Sequence, residues 1–183
     1  QGATTLYNTY WVRFDYGSVS FDRAVENTRR LIKAAEEVGI RKIVHLSVSN
    51  PSEDSPFPYF RGKAVLEKAI SQSRLSYAII RPTLVFGGEE EILVNNIAWL
   101  LRRFPLFAVS KPGDYRLQPI FVDEVADLAV NAAQNVHNKV TDAAGPDILT
   151  FEEMVQLIAS KIRSHAIIFP LNSELTLLLT KLL

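Results

Sequence analysis

The sequence contains no cysteine, only three histidines, and no Gly-x-Gly among its eight glycines. The lack of cysteine excludes disulfides, thiolate nucleophiles and cysteine-based zinc sites. His45, His137 and His165 are too widely spaced to form a His-x-x-x-His cluster, so we expect no metal centre. Twenty basic and twenty acidic side chains cancel, so nothing in the net charge favours nucleic acid or an anionic membrane as a partner. We expect the local pair Arg102-Arg103 to be a solvated helix end.

The composition, 48% hydrophobic and 22% charged over 183 residues, is typical of a folded globular protein. No signal peptide is visible, and we expect a cytoplasmic protein without a membrane span. The leucine-rich tail, 166–183, is interrupted by Pro170, so we predict a buried or dimer-forming terminal helix rather than a membrane anchor. The chain opens on Gln1 directly before an apolar run, which suggests a piece of a longer protein.

Apolar strand-like segments alternate with amphipathic helix-like segments along the chain, and this alternation predicts an α/β fold with a doubly wound parallel sheet. After Gly88 the pattern changes, and we predict a smaller C-terminal lobe, so that residues 1–88 and 89–183 form two domains. The predicted strands are 4–12, 42–47, 77–81, 117–121 and 140–143, and the predicted helices are 21–38, 59–73, 92–103, 123–134 and 151–162.

Tyr59 and Lys63 are four residues apart on a predicted helix that follows an apolar strand. Residues at this spacing share a helix face. An ammonium about 5 Å from a phenol favours the phenolate by roughly 3 kcal/mol, or about 2 pKa units, at an effective dielectric of ~20. The pair is therefore a candidate acid–base couple; the alternative is a tyrosine at a helix start with a solvated lysine one turn later.

Four motifs follow one another along the chain: Glu26-Asn27-Thr28-Arg29-Arg30-Leu31-Ile32-Lys33-Ala34-Ala35, the strand end Ser47-Val48-Ser49, the pair Tyr59 and Lys63, and Arg81-Pro82-Thr83-Leu84-Val85-Phe86-Gly87. In this order and spacing they resemble the extended and atypical short-chain dehydrogenase/reductase superfamily of NAD-dependent epimerases and dehydratases. The segment 44–88 is most similar to the atypical branch that includes an accessory subunit of NADH-ubiquinone oxidoreductase. Residues 119–126 and 142–153 also match the C-terminal half of the family pattern.

The resemblance implies NAD or NADP as cofactor and assigns roles to particular residues. Tyr59 would be the general acid/base, and Lys63 would lower its pKa and bind the nicotinamide ribose. Asn27 would support the active-site backbone, or is simply a solvated helix residue. The remaining cofactor-binding positions implied are Asn8, Thr9 and Tyr10 at the end of the first strand, and Arg81, Pro82 and Thr83 in a loop near the nicotinamide.

The chain departs from the family pattern in two places. The Gly-rich turn that receives the pyrophosphate is absent, so we expect a Rossmann-like sheet that lacks its first strands, and an open sheet edge covered by the missing N-terminal half or by another chain. The catalytic Ser/Thr position aligns near Val48, with Ser47 and Ser49 on either side. Ser47 is the candidate for that role, provided that the strand end is irregular.

Two functions are therefore compatible with the sequence. The first is an NAD(P)-dependent oxidoreductase or epimerase-like enzyme that uses the Tyr59 and Lys63 pair on a small-molecule substrate. The alternative is a non-catalytic dinucleotide-binding or structural module that acts through protein partners. Residues 50–58 and the C-terminal lobe would select any substrate, whose identity the sequence does not reveal.

Overall fold

The computed structural model describes residues 2–89 and 91–172, which form five helices and ten strands. In chain order they are β1 (Thr5–Asn8), α1 (Phe21–Glu37), β2 (Lys42–Leu46), α2 (Pro58–Ser71), β3 (Ser76–Pro82), β4 (Leu84–Phe86), α3 (Leu93–Arg103), β5 (Leu106–Ser110), β6 (Arg116–Leu117), β7 (Pro119–Phe121), α4 (Val122–Gln134), β8 (Lys139–Ala143), β9 (Leu149–Thr150), α5 (Phe151–Lys161) and β10 (Ile167–Leu171).

The chain divides into two compact units. Among the described residues, unit 1 comprises 2–83 and 123–143, and unit 2 comprises 84–89, 91–122 and 144–172. The sequence interpretation placed 123–143 in the C-terminal lobe, whereas this segment returns to unit 1 because β8 pairs with β3. The division of the chain into domains 1–88 and 89–183 stays a prediction.

Unit 1 is built on a four-stranded parallel sheet with the order β1-β2-β3-β8, which confirms the predicted α/β class. The middle of β2 and the middle of β3 are apolar, and residues on both faces of these strands are buried, as in sheets that are covered on both sides. Against one face, α1 and α2 contribute to a core of Ile32, Ala35, Ile43, Ile70, Leu75 and Ile79. In the described part of the chain, β1 lies at the edge of this sheet.

Unit 2 has a helical core with short strand pairs around it. Its buried residues come from α3 and α5: Ile97, Ala98, Leu101, Met154, Val155, Ile158 and Ala159. The first turn of α5 is fixed by a capping box, in which Thr150 and Glu153 exchange side-chain to backbone hydrogen bonds. The strands β5 and β10 form a separate parallel pair beside this core.

Two sequence predictions about segments need correction. The first strand ends at Asn8 rather than Val12, because the Asn8 side-chain oxygen accepts the backbone N–H of Tyr10 and turns the chain. The tail predicted as a helix begins as the strand β10, where the β-branched and aromatic residues Ile167, Ile168 and Phe169 favour extended backbone. Residues 173–183 of that predicted helix lie outside the described residues. No described helix is both long and apolar enough to cross a bilayer.

Candidate functional site

Polar side chains are buried where β1 and β2 end, at the carboxyl edge of the unit 1 sheet. Asn8 and His45 are register partners on these neighbouring strands, and they are 2% and 0% exposed. The Asn8 amide Nδ2 donates to His45 Nδ1 over 3.0 Å. Ligands of open α/β sheets bind at this edge, so the buried polar groups occupy the position where a cofactor is expected.

The protonation of His45 follows from its neighbours. Because the Tyr10 N–H donates to Asn8 Oδ1, the Asn8 NH₂ faces the imidazole, and His45 Nδ1 must accept. The proton of the neutral ring is then on Nε2. Burial, together with the nearby positive charge of Lys63, lowers the pKa of His45 to about 3. The ring is therefore neutral at physiological pH, and its buried Nε2 has no hydrogen-bond partner in the described part of the chain.

Lys63 extends from α2 into the same region and is only 3% exposed. Its ammonium donates to the backbone carbonyl of Leu46 at 2.6 Å and lies 4.8 Å from the centroid of the Trp11 ring. Burial lowers the pKa of Lys63 to about 8, although Glu67, one turn further along α2, raises it. The lysine is thus a desolvated cation, held by a carbonyl dipole and an aromatic face.

Trp11 covers the lysine from the segment between β1 and α1. The ring packs against the backbone at Gly62, where an added Cβ would lie 2.6 Å from an indole carbon. Its centroid is also 5.8 Å from Tyr59 and 5.9 Å from Phe21. Its indole nitrogen is buried without a hydrogen-bond partner among the described residues. Trp11 therefore joins the Lys63 site to an aromatic cluster.

Tyr59 belongs to this aromatic cluster, with edge contacts to Trp11, Phe21 and Phe60. The expected lowering of its pKa by Lys63 is not found. Burial raises the pKa of the Tyr59 phenol, and the charge that opposes this shift belongs to Arg13. The reason is that the Lys63 ammonium is engaged by Leu46 and Trp11, while the phenol is surrounded by rings that disfavour its anion.

Ser47 follows directly after β2 and is 5% exposed. Its backbone N–H still pairs with the Ile80 carbonyl at 2.7 Å, and the Ser49 N–H pairs with Pro82 at 2.9 Å. The Ser47 hydroxyl has no hydrogen-bond partner in the described residues, so it does not bond to the Tyr59 phenol. Its catalytic role stays a prediction.

Arg81 and Pro82 lie within β3 rather than in a loop. The Arg81 guanidinium forms a two-pronged pair with Glu67, with N–O distances of 2.6 and 3.0 Å. Thr83 follows the strand, and its backbone N–H donates to the Ala143 carbonyl. The Arg81 side chain is therefore committed to Glu67, and the cofactor-binding assignments of Arg81, Pro82 and Thr83 stay predictions.

The segment after β1 presents Thr9 and Tyr10, which are both exposed. The Tyr10 hydroxyl accepts a hydrogen bond from the Asn27 amide at 3.2 Å. Asn27 is thus neither a purely solvated helix residue nor bonded to the active-site backbone, because it ties α1 to the chain that leaves β1. The assignment of Thr9 and Tyr10 to cofactor binding stays a prediction.

Sequence reasoning missed three residues of this site: Trp11, His45 and Glu67. His45 interrupts an otherwise apolar strand, and Glu67 follows Lys63 at helical spacing, so both left a signal in the sequence. Trp11 left none, because the sequence placed it inside the predicted strand 4–12, where an aromatic residue is ordinary. Among the described residues no group of three or more His, Asp or Glu side chains is placed to hold a metal ion.

No protein-family model matches the chain. The chain is 25% identical over 166 residues to the mitochondrial NADH dehydrogenase [ubiquinone] 1 alpha subcomplex subunit 9 of Arabidopsis thaliana, covering 88% of the chain and 41% of the relative. It is 30% identical over 154 residues to the protein of the same name from Mus musculus, covering 82% and 40%. The chain thus spans about two fifths of the length of these curated relatives. Because they are mitochondrial, the expectation of a cytoplasmic protein was wrong.

Two solved structures with the same fold are 4-epimerases that act on UDP-sugars. The UDP-N-acetylglucosamine 4-epimerase of Bacillus cereus superposes with a TM-score of 0.77 at 15% identity, covering 92% of the chain and 66% of the enzyme. The UDP-glucuronic acid 4-epimerase of Bacillus cereus, crystallised in complex with NAD, gives 0.75 at 14% identity, covering 92% and 63%. The resemblance stated from the motifs is confirmed: this chain is a homologue of the alpha subcomplex subunit 9 proteins and has the Rossmann-like fold of NAD-dependent epimerases and dehydratases.

Proposed function

We propose that this chain supplies the nicotinamide side of an NAD(P)-binding site, with Lys63 as its central cation. The observation that carries the proposal is the set of buried polar groups where β1 and β2 end: Asn8, His45, Ser47 and Lys63. Buried polar groups are normally paired, since an unsatisfied one costs about 1–3 kcal/mol. Their concentration at the cofactor edge of the sheet favours a binding role over a purely structural one.

The donor set suits a nicotinamide riboside. Three buried polar atoms have no partner within the described residues: the indole nitrogen of Trp11, His45 Nε2 and the Ser47 hydroxyl. All three can donate a hydrogen bond, and the Lys63 ammonium has donors beyond the one given to Leu46. Ribose hydroxyls and a carboxamide oxygen accept such bonds. When bound, the nicotinamide ring would supply or accept a hydride at C4.

The arrangement around Tyr59 favours binding over turnover. A proton-transfer group works best with a pKa near the operating pH, and burial moves the pKa of the Tyr59 phenol in the opposite direction. The Ser47 hydroxyl does not complete a hydrogen-bonded catalytic set with it. We therefore propose that the chain holds a dinucleotide without efficient catalysis, as part of a larger assembly.

A second candidate is an oxidoreductase or epimerase-like enzyme in which Tyr59 transfers the proton. It is favoured by the spacing of Tyr59 and Lys63 on α2, beside the polar cluster, and by the position of the phenol, which is only partly buried. In this reading a substrate hydroxyl or carbonyl would approach Tyr59, and Lys63 would hold the ribose.

The names of the relatives support two further parts of the proposal. They are mitochondrial subunits of NADH dehydrogenase, so we propose a mitochondrial location and protein partners for this chain. The strand β1 lies at the edge of the described sheet, and a further strand or chain placed there would complete its backbone hydrogen bonds.

Binding is tested with reduced nicotinamide mononucleotide. This ligand contains neither pyrophosphate nor adenosine, so it does not need the protein groups that would bind them. We expect saturation-transfer NMR to detect this ligand on the chain, with adenosine monophosphate as the matched control that gives no signal. Lys63→Met keeps the length of the side chain but removes the charge, and should abolish the nicotinamide signal. Equal signals from the two mononucleotides, or an unchanged signal from folded Lys63→Met, would contradict the proposal.

Turnover separates the two candidates. Hydride transfer from NADPH or NADH to aldehyde and nucleotide-sugar substrates should be absent or very slow in the wild-type protein if binding is the function. Measurable turnover that Tyr59→Phe abolishes, with nicotinamide binding retained within a few fold, would establish the enzyme instead.

A further inference from the structure

One end of unit 2 combines exposed apolar and basic side chains. The Ser164 hydroxyl donates to the Leu101 carbonyl at 2.5 Å, and the Ile167 N–H donates to the Pro105 carbonyl at 2.8 Å. These bonds bring the last turns of α3 and α5 together with the starts of β5 and β10. We call this region, residues 99–106 and 161–167, the basic end.

Large apolar side chains are exposed at the basic end. Trp99 and Phe104 are 58% and 48% exposed, and their rings make an edge contact at 6.0 Å. Leu106 and Ile167 are register partners at the start of β5 and β10, and are 56% and 65% exposed. Single exposed apolar residues are ordinary, whereas neighbouring ones mark an interaction surface.

The charge of the basic end has a single sign. The four cations Arg102, Arg103, Lys161 and Arg163 are all exposed, and none of them forms an ion pair within the described residues. The sequence contains no Asp or Glu from 92 to 113 or from 154 to 173. Cations near the C-terminus of a helix are stabilising, which accounts for the positions of Arg102, Arg103 and Lys161. This effect accounts neither for Arg163 nor for the exposed apolar residues.

The segment after α5 shows that this surface is ordered. Ile162, Ala166 and Ile168 pack on the core of unit 2, while Lys161, Arg163, His165 and Ile167 alternate with them and are exposed. The packed residues therefore fix the backbone that carries the four exposed residues. These four exposed side chains are basic or apolar, and none of them is a carboxylate.

We propose that the basic end docks on an anionic lipid surface, with Trp99, Phe104, Leu106 and Ile167 entering the interface and the four cations contacting headgroup phosphates. Aromatic and aliphatic tips surrounded by Arg and Lys match the boundary between headgroups and acyl chains. An acidic polypeptide would complement the charges, but it would leave the projecting Trp99 and Ile167 side chains without an apolar environment. The docking places the chain on the membrane rather than across it.

The 183-residue chain is tested by co-sedimentation with vesicles of phosphatidylcholine, with and without phosphatidylserine. We expect binding only to the anionic vesicles, weakened by salt. The double substitution Arg102→Gln with Arg103→Gln should weaken binding to the anionic vesicles by about 30-fold, because the loss of each cation weakens binding roughly five-fold. Leu106→Ser with Ile167→Ser should weaken it on the order of 10- to 100-fold. The matched control, Arg29→Gln with Arg30→Gln on α1, should bind like the wild type.

Brominated lipids test insertion directly. They should quench the fluorescence of Trp99, so the quenching seen in the wild type should disappear in Trp99→Phe, which retains Trp11. Three results would each overturn the proposal: no binding to anionic vesicles, binding without quenching of Trp99, or binding to soluble polyglutamate with no binding to vesicles. The last result would identify an acidic polypeptide as the partner.

Discussion

The Lys63 ammonium lies over the indole ring of Trp11, 4.8 Å from its centroid, and the same ring packs against Gly62 in the helix that carries the lysine. Six of the eight glycines have positive φ, whereas Gly62 does not, so Gly62 provides space rather than an unusual backbone conformation. Because position 62 has no side chain, Trp11 can approach α2 closely enough for its indole ring to cover Lys63.

Gly62→Ala should destabilise the protein, because its Cβ would lie 2.6 Å from an indole carbon of Trp11. Overpacking of this kind costs about 1–3 kcal/mol, while the gain in helix propensity from Gly to Ala is about 1 kcal/mol. We expect a net loss in the free energy of unfolding, measured by urea denaturation, and a shift of Trp11 fluorescence in a Trp99→Phe background.

A double-mutant cycle isolates the cause. In a Trp11→Ala background the space is vacated, so Gly62→Ala should become neutral or stabilising. If Gly62→Ala costs the same with and without Trp11, the proposed close packing of Trp11 on α2 is wrong.

Lys63 should make stability rise with pH in the alkaline range. Its pKa is lowered from 10.5 to about 8 in the folded protein, so between these values the unfolded chain binds the additional proton. Stability then increases by up to about 1.4 kcal/mol per pH unit from about pH 8 to about pH 10. Below pH 8 both states bind the proton, and the slope from this group vanishes.

Urea denaturation at several pH values measures this slope. Lys63→Met should remove the alkaline rise, whereas Lys33→Met, on the exposed face of α1, is the matched control and should retain it. If the free energy of unfolding rose equally with pH in the wild type and in Lys63→Met, Lys63 would not be a desolvated ammonium.

His45 should make the protein sensitive to acid. Its pKa falls from 6.5 to about 3 in the folded protein, so the unfolded chain binds the additional proton between these values. Stability is then complete above pH 6.5, and falls by up to about 1.4 kcal/mol per unit as the pH drops through this window. His45→Gln should lose less stability than the wild type between pH 6.5 and pH 4, by the same assay.

His165→Gln is the matched control, because this imidazole is exposed. It should follow the wild-type curve. An acid transition in His45→Gln as steep as that of the wild type would show that the buried imidazole does not govern it.

The sequence predicted the sheet of unit 1 because the middle of β2 and the middle of β3 are apolar and the two strands are joined through an amphipathic helix. It did not predict β5 and β10, since their apolar runs are short and equally compatible with a helix. At the candidate site, periodicity placed Tyr59 and Lys63 on one helix face. The direction of the Lys63 ammonium depends on Trp11, a residue 52 positions earlier in a segment without regular structure, and no local pattern encodes that contact.

Arg81 forms an ion pair with Glu67, so substitution of Arg81 can distinguish a structural role from a cofactor-binding role. The Glu67 side chain is 10% exposed and that of Arg81 is 31% exposed, so Arg81→Met leaves a largely buried carboxylate without its partner. Breaking a buried pair in this way costs about 3–5 kcal/mol, and the partial exposure of Arg81 places the expected loss near the lower value. Arg81→Met combined with Glu67→Gln removes the stranded charge and should recover part of the stability.

Binding of reduced nicotinamide mononucleotide by Arg81→Met should remain within a few fold of the wild type, because the guanidinium is engaged by Glu67. Saturation-transfer NMR on the folded variant measures this directly. If the variant retains its stability but loses the ligand, Arg81 contacts the cofactor, as the sequence resemblance implies. If it loses stability but retains the ligand, Arg81 anchors α2 to β3, and thereby positions the helix that carries Lys63.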